Sequence, residues 1–103
     1  MVALSGNVTN LVGNYYPDFV LSARPQHPFY DEGVFIGKST TYFPSVSGSI
    51  TGNFPATDTL GILVDFAGRY TADGIAQQVY FVPTLIPAVS ALNFSDILFP
   101  IVD

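Results

Sequence analysis

Over Leu60–Ala67, a candidate strand, the chain alternates. Leu60, Ile62, Val64 and Phe66 fall on one side of an extended segment, and Leu63 and Asp65 fall on the other. Ala76–Val82 repeats the pattern, with Val79 and Phe81 opposed to Gln78 and Tyr80. Asp73-Gly74 between the two segments is a turn signal, so the pair reads as an antiparallel hairpin. Its eight connecting residues, Gly68–Ile75, read as a long exposed tip. Further candidate strands are Val8–Val12, Phe19–Ala23, Gly33–Gly37 and Val46–Thr51, rich in the residues that suit a pleated surface. Only Ala88–Phe99 is long enough for a helix, and its apolar positions fit neither period. Pro87 suits a first helical position and Ser95 suits a cap, so this stretch reads best as a strand with a short helical turn.

Nine Gly and eight Pro are spread along the whole length and cut it into pieces shorter than ordinary helices. The expectation is one all-β domain over residues 1–103, a small antiparallel sandwich or barrel-like fold. Residues 1–32 read as an extended arm with the first strands, 33–82 as a β module with its hairpin, and 83–103 as an extended C-terminal segment. The arm character comes from Asn14-Tyr15-Tyr16-Pro17 and from Arg24-Pro25-Gln26-His27-Pro28-Phe29-Tyr30, because a residue before Pro is held extended. Such an arm either packs its own core or clasps a neighbouring subunit.

Composition changes the picture at the surface. Of 103 residues, 11% are charged and 49% apolar, with 3 Lys or Arg against 8 Asp or Glu and no cysteine. Three cations cannot follow a phosphate backbone, which argues against nucleic acid as a partner. Zero cysteine excludes disulfides and thiolate metal sites. No apolar run reaches the length of a membrane-spanning helix, so membrane insertion is not expected. A folded chain of this mass exposes about 5,600 Å², or about one charge per 510 Å² where an ordinary domain carries one per about 220 Å². Eight Ser and eight Thr cover part of the difference. The remainder is apolar, which predicts an oligomer or a subunit of a larger assembly.

Candidate chemistry is sparse. Gly33–Ser39 approaches a phosphate loop but is one residue short, and its Val-Phe-Ile interior belongs in a strand. The single imidazole, His27, has no serine in a nucleophile elbow to serve. Asp31-Glu32, Asp58, Asp65 and Asp73 are the available carboxylates, but Asp31, Asp58 and Asp73 lie beside turn signals, where Asp serves the backbone, and Asp65 faces solvent. No catalytic, metal-binding or cofactor-binding set emerges. Two aromatic clusters suit contact with a receptor or glycan, since exposed rings stack on sugars while planar polar groups bond their hydroxyls. One is Arg69, Tyr70 and Asp73 at the hairpin tip. The second, serving either as contact or as subunit interface, is Asn14, Tyr15 and Tyr16. Asn7-Val8-Thr9 and Asn93-Phe94-Ser95 match the glycosylation tripeptide, which carries meaning only with a secretory leader.

The order of features from Gly33 to Phe81 resembles the small β knob modules of phage tail fibres and pyocin fibres. Gly33-Val-Phe-Ile-Gly37 stands at the G-x-Y strand, Asn53-Phe54-Pro55 at the N-x-P turn, Gly61-Ile-Leu-Val-Asp65 at the G-x-L-x-V strand and Gln78-Val79-Tyr80 at the Q-x-Y strand. The resemblance covers about half the chain, and the tryptophan frequent in such modules has no counterpart here. It implies a non-enzymatic virion component that assembles as a homotrimer with other virion proteins and contacts a host-surface glycan. Two alternatives are a capsid decoration protein and a secreted carbohydrate-binding module.

Overall fold

A computed structural model describes residues 1–101, and the chain is all-β. Nine strands form in order: β1 (Val2–Asn7), β2 (Val20–Pro25), β3 (Phe29–Asp31), β4 (Val34–Ile36), β5 (Thr41–Val46), β6 (Ser49–Phe54), β7 (Val64–Ala72), β8 (Ile75–Tyr80) and β9 (Ala91–Asn93). One helical turn, α1 (Val8–Val12), follows β1, and a 3-10 turn (Phe94–Asp96) follows β9. Seven strands hydrogen-bond in the order β8-β7-β2-β5-β6-β1-β9, while β3 and β4 pair only with each other. Every pair is antiparallel except β1 with β9, which is parallel where antiparallel pairing was expected.

The long sheet folds over at β5. Thr41–Pro44 pair with β2, whereas Ser45 and Val46 pair with β6. The Ser45 amide and hydroxyl both donate to the Phe19 carbonyl, at 3.1 and 2.8 Å, pinning the bend. Phe66 on β7 and Phe94 just after β9 show the result. Laid flat, their strands would stand about 24 Å apart, five strand spacings. Their ring centroids are 6.1 Å apart. The two halves therefore face each other as a sandwich around Leu4, Leu21, Phe43, Ile50, Phe66 and Phe94. Gly52 and Gly68 let the layers close, since a Cβ would lie 2.2 Å from Phe43 and 2.5 Å from Phe19.

The three tight hairpins among the described residues use the same device. Glu32-Gly33, Ser47-Gly48 and Asp73-Gly74 each hold two consecutive positive φ angles, near 50° and then 75–82°. That is a two-residue type I′ turn, whose twist matches the strands it joins.

Several expectations are corrected. Val8–Val12 is helical, because Val8 and Leu11, three apart, are both buried, and Gly13 (φ 84°) ends the turn. Packing has overridden β propensity there. Val46–Thr51 is no strand but the Ser47-Gly48 reversal with its flanks. The strand placed at Leu60–Ala67 begins only at Val64; Leu60 lies in a turn and is exposed. Gly68–Ile75 is no long tip, since pairing runs to Ala72 and Ile75. Asn93, not Ser95, caps the last turn, its Oδ1 accepting from the Ser95 amide at 2.9 Å. Of the two fates open to the end segments, packing into the chain's own core is the one the described residues take. Val2 and Leu4 of β1, then Phe19, Ile86, Phe94 and Leu98, are all core residues. Residues 102–103 of the expected C-terminal segment lie outside the described residues.

The alternation in β7 and β8 holds. Val64 and Phe66 point inward and Asp65 outward, as alternation requires. Val79 is half-buried and Phe81 buried, opposite the exposed Gln78 and Tyr80. Ala88–Phe99 is indeed a short strand followed by a helical turn.

Candidate functional site

Alternation in β2 buries Leu21, Ala23 and Pro25 and turns Val20, Ser22 and Arg24 outward. The register carries this to the neighbours. Ser22 stands opposite Tyr42 of β5 and Ala67 of β7, and Ala67 stands opposite Tyr80 of β8. One row across the outer face therefore reads Tyr42, Ser22, Ala67, Tyr80. Two small side chains form its floor, and a tyrosine rises on each side, 59% and 56% exposed. Tyr42 and Tyr80 are three strand spacings apart, about 14 Å between their backbones.

Two shallow clefts open on this face and meet at Ser22. The first, about 320 Å³, is lined by Asp18, Ser22, Tyr42, Arg69, Thr71 and Gln77 among others. The second, about 460 Å³, is bordered by Arg24, Thr40, Asp65, Ala67, Tyr80 and Ile101. Several lining groups are held in place. Asp18 Oδ1 accepts the Thr71 amide at 3.2 Å, and hydrogen bonding from the Thr71 side chain, then from its amide, holds the Asp18 carboxyl below the usual carboxylate range. The Tyr80 hydroxyl donates to Gln78 Oε1 at 2.7 Å, which leans the ring back along β8. At the far end Arg24 and Asp65 face each other in register. Arg24 Nε donates to the Lys38 carbonyl, and Asp65 Oδ1 accepts from Gln26 Nε2, both at 3.0 Å.

Arg69 and Tyr70 both border the first cleft, but Asp73 sits in the β7–β8 turn with φ 52°. Tyr70 is half-buried, its ring stacked on Tyr16 at 4.1 Å and near Phe19 at 6.1 Å. That stack joins members of the two aromatic clusters that the sequence kept apart. Asn14 is exposed, and Tyr15, also exposed, lies against Gly48. Tyr42, Ser22, Asp18 and Gln77 escaped the sequence reading. The available signal was the Thr41-Tyr42-Phe43 alternation, which sends one aromatic out wherever it sends the next one in.

The rest of the candidate chemistry is dispersed. His27 is exposed in the β2–β3 connection, and Glu32 occupies a turn. No group of three or more His, Asp or Glu among the described residues converges as metal ligands would. Thr57, the one fully buried polar side chain among the described residues, serves the fold. Its Oγ1 accepts the Ile86 amide at 2.9 Å, while its own amide donates to the Ile86 carbonyl at 2.8 Å.

Neither protein-family models nor curated protein sequences give a match to this chain.

Proposed function

We propose that this protein is a non-enzymatic structural subunit of an oligomeric virion-surface assembly, of the kind built by phage fibre and appendage modules. One observation carries the reading. Beyond β8 the chain end pairs with it, the Val82 amide donating to the Phe99 carbonyl and the Ile101 amide to the Tyr80 carbonyl, both at 2.8 Å. The bridge Phe81–Pro100 sets the register, and Phe81 points into the core. Tyr80, Val82, Phe99 and Ile101 therefore share the outward face, between 47% and 60% exposed. Four large apolar side chains in one contiguous block are poorly suited to water and well suited to a partner surface. Tyr30 and Phe35, cross-strand partners whose rings meet edge-on at 5.5 Å, add a second exposed apolar pair on the β3–β4 hairpin. The resemblance at Gly33–Phe81 supplies the virion setting, and the sparse charge fits a subunit whose surface is largely covered.

The test is sedimentation equilibrium on the whole chain. A discrete oligomer is expected, a homotrimer in the fibre setting, and Val82→Asp with Phe99→Asp should dissociate it while leaving the fold intact by circular dichroism. A wild-type chain that stays monomeric at high concentration would refute the reading.

A further inference from the structure

We propose that the outer face of β5, β2, β7 and β8 binds a neutral oligosaccharide, lying along β2 and β7 between Tyr42 and Tyr80. Shape comes first. The outward positions of β7 from Asp65 to Thr71 span about 20 Å along the strand. With the floor kept low by Ser22 and Ala67, the two clefts form one open channel that takes several linked sugar rings.

Chemistry then narrows the occupant. Strands β2 and β7 are paired on both sides, so their backbone groups are consumed in the ladders. A peptide strand adds to a free sheet edge, which β8 has on its outer side but the channel floor of β2 and β7 lacks. Recognition has to come from side chains, and those present are exposed tyrosine rings beside planar polar groups. The rings match the C–H faces of pyranoses, while Arg69, Asp18 and Gln77 offer hydroxyl groups paired donors and acceptors. The charges cancel: Arg24 and Arg69, two of the chain's three cations, stand with Asp18 and Asp65. On a chain of net charge −5 this face is locally balanced, which disfavours acidic sugars and phosphates and suits an uncharged chain. The inference stands apart from the assembly reading, because it uses a different part of the surface except for Tyr80 and Ile101.

The experiment is a glycan array carrying both neutral and sialylated or sulfated glycans, followed by calorimetric titration of the full chain with the best neutral hit. Saturable binding to neutral glycans is expected. Tyr42→Ala should weaken it about five- to tenfold, the loss of one stacked ring. Ala67→Trp, which fills the channel floor, should abolish it, with melting temperatures of both variants monitored. Phe35→Ala, removing an exposed ring on the β3–β4 hairpin outside both clefts, should leave it in place. Absence of neutral-glycan binding overturns the proposal. So does binding confined to acidic glycans, or neutral-glycan binding that survives both Tyr42→Ala and Ala67→Trp. Sedimentation of the same samples separates the two ideas: a monomer that binds sinks only the assembly reading, and an oligomer that does not bind sinks only this one.

Discussion

The two faces of the β5-β2-β7-β8 layer share strands and alternation, yet they are occupied in opposite ways. Inward, Leu21, Phe43, Phe66 and Phe81 are buried against the other layer. Outward, Tyr42, Ser22, Ala67 and Tyr80 face open clefts. Tyr42 and Phe43 are neighbours in sequence and similar in size; parity alone gives one to the core and the other to the surface. A polar tip on an apolar ring tolerates that exposure, whereas Phe43 meets Phe94 edge-on at 5.8 Å. The inner face is closed and specified by volume, and the outer face is open and specified by which groups stand in a row.

The comparison breaks first where volume is removed. Phe94, which meets both Phe43 and Phe66, joins the two layers. Phe94→Ala should cost about 3–5 kcal/mol and lower the melting temperature by about 12 °C or more, measured by calorimetry. Adding volume should also be felt. Gly52→Ala places a methyl 2.2 Å from Phe43 Cδ1, and about 1–3 kcal/mol of destabilisation is expected in urea titrations. If both changes proved neutral, the inner face would not be the close-packed partner of this comparison.

These sites also show what was legible in sequence. The inward residues of β7 and β8 could be read because alternation there is uninterrupted. Two of the three reversals could not. Asp73-Gly74 belongs to the pairs that favour type I′ turns, but Glu32-Gly33 and Ser47-Gly48 place residues at φ 50° that sequence reasoning does not expect there. Missing Ser47-Gly48 merged two strands into one false strand. Val8–Val12 was misread because five residues hold too few positions to tell the two periods apart. The outer row failed for a different reason: it joins Tyr42, Ser22, Ala67 and Tyr80 from four strands, and only register assembles it. Tyr70 stood out in sequence as an exposed tyrosine because its partner, Tyr16, is 54 positions away.

Next in size comes Thr57. Thr57→Val keeps the shape but deprives the buried Ile86 amide of its acceptor, at an expected cost of about 1–3 kcal/mol. Thr57→Ser restores the hydroxyl and should recover most of that loss. Equal melting of Val and Ser variants would assign the effect to packing instead. Tyr42→Ala, by contrast, removes an exposed ring and should shift stability by no more than about 0.5 kcal/mol. A core-sized loss there would erase the distinction between the faces.

The smallest expected effect lies at the rim of the outer face. Asp18 is exposed, and its carboxylate is favoured in the fold by the Thr71 side chain and amide. Its folded pKa is lowered, so its contribution is fully present above the ordinary carboxylate value near about 4 and is lost as pH falls through the depressed folded value. Solvent screening keeps that contribution small. Asp18→Asn should therefore lower the melting temperature slightly at pH 6, and the gap to wild type should close as both are acidified through the carboxylate range. Thr71→Val should shrink the gap from the other partner. A gap that instead widened in acid would mean that the carboxylate is disfavoured in the fold, and that Asp18 and Thr71 do not hold this rim together.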